Sequence, residues 1–146
     1  MGFLTFKGGV HPFDGKDMSK ECPTEKYLPK GELVYPVSQH IGAPAKPLVT
    51  KGANVLAGQV IAEAGGFVSA PVHASVSGTV KGIEPRLTST GSMVSSIIIE
   101  NDGEYKEAEF VPARLEDLSR EEILDRIREG GVVGMGGAGF PTQVKL

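Results

Sequence analysis

Short runs in which apolar and polar residues alternate, separated by turn residues, occupy the chain from Glu32 to about Pro112. A period of two puts the apolar side chains of a strand on one face, so this pattern predicts an all-β domain. Asn101, Asp102 and Gly103 tolerate positive φ, and they predict a hairpin that runs from Ile97 to Phe110. The predicted strands are residues 32–37, 47–49, 55–56, 59–62, 75–80, 95–100 and 109–111.

Beyond about Ala113 the pattern changes to that of a helix. Ser119 and Glu122 have the spacing of a capping box, and Ile123, Leu124 and Ile127 then fall on one helical face. The pattern predicts a helix of about ten residues. Gly130 and Gly131 are expected to end it.

The chain before the first strand has little periodicity and many Gly and Pro turn signals, which is typical of an extended arm. We therefore predict three parts: an N-terminal arm (residues 1–30), a β domain (31–112) and the start of a further domain (113–146). The Gly- and Pro-containing arm and the glycine-rich end of the chain also differ in composition from the β domain between them.

Composition narrows the chemistry that these parts can perform. The chain has 146 residues, a net charge of −3 and no basic stripe, which argues against nucleic acid as a partner. Its only cysteine, Cys22, rules out an internal disulfide, a thiolate zinc site or an iron–sulfur cluster held by these residues alone. An apolar run of about 18 residues is absent, so we expect no direct membrane insertion.

Candidate catalytic and metal-binding residues are also missing from the pattern. His11, His40 and His73 do not have the spacing of metal ligands, and no Ser lies in a Gly-x-Ser-x-Gly elbow. We therefore predict neither a metal site nor a catalytic residue. His40 lies in a loop of small residues, where its ring is expected to satisfy backbone groups.

Two segments of the β domain resemble the biotinyl/lipoyl-like barrel-sandwich hybrid fold. Lys51–Ala62 has the glycine turns and short strands of its hammerhead, and Ser69–Val80 matches the segment that packs across from it. Carrier domains of this fold present a modifiable lysine between the two segments. Residues 53–80 contain no lysine, so a structural or docking domain is expected rather than a swinging-arm carrier.

The last seventeen residues (130–146) contain six glycines followed by Lys145, a composition that suits a phosphate-binding loop. Residues 134–139 satisfy Gly-x-Gly-x-x-Gly, but a dinucleotide fingerprint needs a strand before it and a helix after it, whereas here a helix comes first. A flexible tail and a flavin phosphate loop are the other interpretations.

Residues 136–142 together with Lys145 resemble the flavin mononucleotide (FMN) and NADH site of the respiratory complex I flavoprotein subunit. The resemblance implies that the loop glycines and Lys145 hold the flavin phosphate and that Phe140 lies near the dinucleotide. Met135 and Leu146 depart from that family, which usually has arginine and tryptophan there, and they indicate a side branch. The implied cofactor-binding residues are Gly134, Gly136, Gly137, Gly139, Phe140 and Lys145.

Four segments in order resemble the C subunit of the Rnf electron transport complex: Thr5–Pro12, Gln39–Ala45, the barrel-sandwich segment and Gly131–Gly137. The fold implied is mainly β, a barrel-sandwich hybrid with an N-terminal arm and a short C-terminal helix that begins a truncated α/β flavin domain. On this resemblance the chain is an N-terminal fragment of a peripheral subunit on the cytoplasmic side of the bacterial membrane.

The resemblance also implies the chemistry of the whole protein. That complex transfers electrons between ferredoxin and NAD(H) and moves Na⁺ or H⁺, with FMN and NAD(H) bound by the full-length subunit and two 4Fe–4S clusters beyond residue 146. The partners implied are the other subunits of the Rnf complex. We expect the fragment to be mainly structural, catalytically inert and without bound cofactor. The alternatives are a related FMN/NADH reductase, such as a cobalamin reductase, or a non-catalytic interaction domain.

Overall fold

The computed structural model describes residues 13–146, so the Thr5–Pro12 motif and His11 lie outside the described residues. Residues 13–30 are almost entirely exposed and contain one 3₁₀ turn, Lys16–Met18. The carbonyl of Pro29 accepts hydrogen bonds from the side-chain amide of Asn101 and from the Tyr105 hydroxyl, both at 2.6 Å. The described part of the predicted arm is therefore tied to the β domain at its end.

Seven strands form two antiparallel sheets. The larger sheet has the order β1-β7-β6-β3, and the smaller one has the order β2-β4-β5. The strands are β1 (Glu32–Pro36), β2 (Lys46–Pro47), β3 (Asn54–Val55), β4 (Val60–Glu63), β5 (Val72–His73), β6 (Gly78–Leu87) and β7 (Met93–Asn101). Six of the seven predicted strands correspond to these in order, although β6 continues well past the predicted end at Val80.

The core lies between the sheets and is built mainly from β-branched residues. Ile97 and Ile99 of β7 point into it together with Ile61 of β4, and all three side chains are inaccessible to solvent. Ile98 is also buried but lies outside this cluster, as the alternation of a strand requires. β-Branched side chains pack well on a pleated surface, which explains why a glycine-rich chain builds a well-filled core here.

Two loops approach each other closely at one end of the barrel. A Cβ on Gly65 would lie 1.9 Å from the carbonyl oxygen of Pro44, and one on Gly42 would lie 2.1 Å from that of Val68. The buried Ser69 hydroxyl joins the loops, because it donates to the Ala43 carbonyl at 2.8 Å and accepts from the Gly65 amide at 2.9 Å. Residues 40–45 and 64–70 therefore pack backbone against backbone.

The predicted hairpin from Ile97 to Phe110 is wrong. The partners of β7 are β1 and β6, and the long hairpin of the structure is β6–β7, closed by a turn over residues 88–92. Residues 109–111 form no strand, and Phe110 is 80% exposed.

The physical reason is that both edges of β7 are already paired. The chain does turn at Asp102 and Gly103, where Gly103 has φ 76°, but the turn directs it toward the start of β6. The Ser77 hydroxyl donates to Asp102 at 2.7 Å and accepts from the Lys106 amide at 2.9 Å. Residues 106–108 then pair with Ala57 instead of with β7.

One helix, α1 (Arg120–Glu129), follows a 3₁₀ turn at Leu115–Asp117 and confirms the predicted position and length. The Ser119 hydroxyl accepts from the Glu122 amide at 3.3 Å, and the Glu122 carboxylate accepts from the Ser119 amide at 2.7 Å. Its three apolar residues are half-buried while the other face is exposed. Gly131, with φ 65°, ends the helix as predicted.

The close loop packing generates a stability prediction with a matched control. Gly65→Ala is expected to lower the free energy of unfolding by about 1–3 kcal/mol or more, because a Cβ there overlaps a backbone oxygen that has little room to move. Gly82→Ala is the control, since its Cβ meets nothing within 4 Å. Urea unfolding of both variants measures the difference, and equal stabilities would contradict the packing described.

Candidate functional site

The glycine-rich segment folds into a closed loop. An isolated antiparallel bridge joins Val133 and Pro141. The Gly134 amide donates to the Phe140 carbonyl at 3.0 Å, and the Thr142 amide donates to the Val132 carbonyl at 3.0 Å. These contacts fix both ends of a loop that runs over residues 134–140.

The loop is also fixed to the helix before it. The amides of Gly130 and Val132 donate to carbonyls of the last turn of α1, at 2.8 and 3.2 Å. A 3₁₀ turn after the loop, Thr142–Val144, packs against α1, and the Arg120 guanidinium donates to the Leu146 carbonyl at 2.9 Å. Helix, loop and 3₁₀ turn thus form one small unit.

The tip of the loop presents backbone amides rather than side chains. A Cβ placed on Gly136 or Gly137 would meet nothing within 4 Å, so the space beside them is open. Among residues 13–146, no backbone acceptor takes a hydrogen bond from the amides of Gly136 or Gly137. Gly134 differs, because its amide closes the base of the loop instead.

The two predicted side chains of the site are brought together. The ammonium group of Lys145 lies 5.4 Å from the centroid of the Phe140 ring, within cation–π distance. Both follow the glycine loop, and Lys145 is exposed. Met135, at the position where the complex I flavoproteins usually have arginine, is fully exposed.

The loop rests on the β domain through residues 39–41. Gly139 has φ 66°, and a Cβ there would lie 2.9 Å from the Gln39 carbonyl oxygen and 3.0 Å from the Cα of His40. The Ile41 amide donates to the Ala138 carbonyl at 2.9 Å. Only glycine fits this position without strain, so the packing requires the residue type found there.

His40 confirms the prediction that its ring satisfies backbone groups. Its Nε2 accepts from the Ala70 amide at 3.1 Å, and Nδ1 lies 3.1 Å from the carbonyl oxygen of its neighbour Ile41. Both contacts are met when the proton is on Nδ1 and donates to the carbonyl, while Nε2 also lies 3.3 Å from the Ala70 carbonyl oxygen, a contact that only the other tautomer could use as a hydrogen bond. The ring therefore links residues 40–41 to the end of residues 64–70, which connect β4 to β5 and are called the 64–70 hairpin below.

A groove of about 840 Å³ runs between the loop and the barrel. The turn between β6 and β7 contributes Thr88, Ser89 and Thr90 to its barrel side, beside residues 38–41. The predicted cofactor-binding residues Gly134, Gly137 and Gly139 line the other side. The sequence pattern does not predict that the β6–β7 turn lines this groove, because the polar second half of β6 does not have the pattern of a strand.

The arrangement suits an anion better than a metal or an ordinary dinucleotide fold. Residues 13–146 hold no group of three or more His, Cys, Asp or Glu side chains placed to bind a metal ion. The Rossmann interpretation fails because the loop follows α1 and precedes a 3₁₀ turn, so neither the required strand nor the required helix is present. Open glycine amides are the donors that a phosphate needs, and Lys145 follows the loop in the chain.

The chain is similar to known proteins over almost its whole length. Residues 4–104 match the family model described as the RnfC barrel sandwich hybrid domain. Over 144 residues the chain is 44% identical to the C subunit of the Na⁺-translocating ferredoxin:NAD⁺ oxidoreductase complex of Acetobacterium woodii, covering 97% of this chain and 32% of that protein. The proton-translocating counterpart from Clostridium ljungdahlii gives the same identity and coverage.

A relative of lower identity matches a similar share of the chain. The C subunit of the ion-translocating oxidoreductase complex of Rhodobacter capsulatus is 40% identical over 146 residues, which cover 98% of this chain and 28% of that protein. The chain thus spans a third or less of the length of these curated relatives. Among the helices of residues 13–146, none is long and apolar enough to cross a membrane.

The capping box of α1 generates a prediction about pH. The amide and hydroxyl of Ser119 hold the pKa of Glu122 below its ordinary value. A carboxyl whose pKa is lowered by folding stabilises the fold above its unfolded pKa, and that contribution disappears as the pH falls through the folded pKa. We therefore expect Glu122→Gln to be less stable than the parent chain at neutral pH, with a difference that disappears as the pH falls below the lowered pKa of Glu122.

Circular dichroism during urea unfolding at several pH values measures this difference. Glu121→Gln is the control, because it removes the same charge from the first turn but no hydrogen bond to Ser119. A pH-independent difference for Glu122→Gln would show that the carboxylate does not cap the helix.

Proposed function

The chain belongs to the family of RnfC barrel sandwich hybrid domains, and from this membership we propose that it is the N-terminal part of a peripheral subunit of an Rnf-type complex. The complex transfers electrons between ferredoxin and NAD(H) and couples the transfer to movement of Na⁺ or H⁺, as the names of the relatives state for those proteins. The family match favours this function over a cobalamin reductase.

The closed glycine loop is the observation that carries the proposal. The open amides at its tip, together with Lys145, which lies over the Phe140 ring at the end of the loop, are proposed to form the cradle for the phosphate of FMN. A phosphate fits this site because the amides of the loop are donors that no side chain covers, and because Lys145 adds one positive charge. Gly134 holds the base of the loop, while Gly136, Gly137, Gly139 and Lys145 contact the phosphate.

Phe140 is proposed to contact the dinucleotide, and its ring centroid lies 5.4 Å from the Lys145 ammonium group. When bound, the flavin supplies the step from two-electron exchange with NAD(H) to single-electron transfer. The described residues bind and orient it. Further segments of the full-length protein complete the pocket and hold two 4Fe–4S clusters, and this chain alone is inert toward NADH.

The full-length protein is proposed to lie on the cytoplasmic side of the membrane, bound to the other subunits of the complex. The described residues offer no spanning helix, which suits a peripheral position.

Removal of the Lys145 charge tests the flavin function. In the full-length protein, Lys145→Gln is expected to weaken FMN binding roughly ten- to hundredfold, the value of a hydrogen bond to a charged group. Flavin fluorescence during titration of the apoprotein measures the dissociation constant. Lys51→Gln, an exposed lysine on the turn before β3, is the control and should bind FMN like the parent.

A full-length protein that binds no FMN would overturn the proposed function. FMN binding that is equally tight in the Lys145 and Lys51 variants would instead show that the loop is not the phosphate site.

A docking role for the barrel is a second proposed function, and the tip of the 64–70 hairpin favours it. At the place where carrier domains present a lysine, this chain presents Phe67 with 83% of its surface exposed. The Ser69 hydrogen bonds and the close contact of Gly65 with Pro44 hold the tip in one conformation. A rigid, exposed aromatic side chain is the type of residue that anchors protein interfaces.

Phe67→Ala is expected to weaken binding of the full-length protein to the remaining subunits by about 2 kcal/mol, with no loss of folding stability. Binding to membranes that contain the complex without this subunit measures the effect. Phe110→Ala removes an aromatic ring of similar exposure from the loop after β7 and is the matched control. Equal binding by the two variants would refute a specific role for the hairpin tip.

A further inference from the structure

On the basis of the proposed flavin function, we propose that His40 is a positioning residue for the phosphate loop, so that the barrel sets the conformation in which the loop binds FMN. His40 lies almost a hundred residues before the loop and belongs to the β domain. The barrel thereby takes part in cofactor binding although the glycine loop follows it in the chain.

The contact between barrel and loop is small and specific. Within residues 13–146, one backbone hydrogen bond joins the barrel to residues 134–140, from the Ile41 amide to the Ala138 carbonyl at 2.9 Å. Beside it, Gly139 lies so close to Gln39 and His40 that even a Cβ would overlap them. The position of the 39–41 backbone therefore fixes the backbone of Ala138 and Gly139.

The His40 ring in turn fixes the 39–41 backbone. Its Nε2 accepts a hydrogen bond from the Ala70 amide at 3.1 Å, and Ala70 is buried at the end of the 64–70 hairpin. Through Nδ1 it reaches the Ile41 carbonyl, which belongs to the same residue whose amide holds Ala138. A chain of contacts thus runs from Ala70 through the ring and Ile41 to the loop.

A phosphate loop binds tightly only if its amides converge before the ligand arrives, since ordering them on binding costs affinity. Loss of the His40 contacts leaves the loop closed at its base by Gly134 and Phe140 but free to move away from the barrel. The expected result is weaker FMN binding with an otherwise folded protein.

The test uses the full-length protein with FMN as the probe. His40→Phe keeps a ring of similar size but leaves the Ala70 amide without an acceptor, and we expect the FMN dissociation constant to rise about tenfold. His40→Gln places an amide oxygen near the position of Nε2 and should restore binding to near the parental value. This rescue separates the hydrogen bond from the bulk of the side chain.

Ser77→Ala is the matched control for stability. Ser77 is buried in the barrel and accepts from the Lys106 amide at 2.9 Å, so this variant also leaves a backbone amide unpaired, but Ser77 has no contact with the loop. It should lose unfolding stability as His40→Phe does and keep parental FMN affinity.

Each outcome has one meaning. If the parent binds FMN and His40→Phe binds it equally well, the positioning role of His40 is refuted while the flavin function stands. If Ser77→Ala weakens FMN binding as much as His40→Phe, the effect is general instability and the inference also fails. If the parent binds no FMN, the proposed function itself fails.

Discussion

The close packing of residues 40–45 against the 64–70 hairpin is the constraint on which the rest of the structure depends. Glycine is required at 42 and 65 because backbone oxygens occupy the space that a Cβ would take. Ser69 is buried between the two segments and has a partner on each side, so it costs little desolvation. This contact orients His40, and His40 orients the segment on which the glycine loop rests.

Local signals explain how much of the fold was predictable. The helix was placed correctly because its start and end depend on neighbouring residues, Ser119 with Glu122 and then the two glycines. The hairpin after Ile97 was misplaced because partner choice is not local. Residues 101–103 do form a turn, but both edges of β7 are paired with other strands. The sequence pattern does not show which edges of a strand are already paired.

In the candidate site, too, the residues close together in sequence were predicted and the distant ones were missed. The loop, Lys145 and Phe140 were identified from residues that lie within twelve positions of one another, and the structure places the two side chains in contact. Their assignment to FMN and the dinucleotide remains a prediction. The barrel wall of the groove was missed, because Thr88 to Thr90 reach it only through a β6 strand whose second half is too polar and too proline-containing to be recognised.

The predicted boundary near residue 112 separates two patterns of periodicity, but a backbone hydrogen bond from the Ile41 amide to the Ala138 carbonyl crosses it. In the larger sheet and the 64–70 hairpin, the chain retains the architecture of a carrier domain without its lysine. The surface beside the hairpin instead supports a loop from the next segment. At this contact there is no room for a side chain, because a Cβ on Gly139 would lie 3.0 Å from the Cα of His40. The barrel and the glycine loop are therefore best regarded as two walls of one groove.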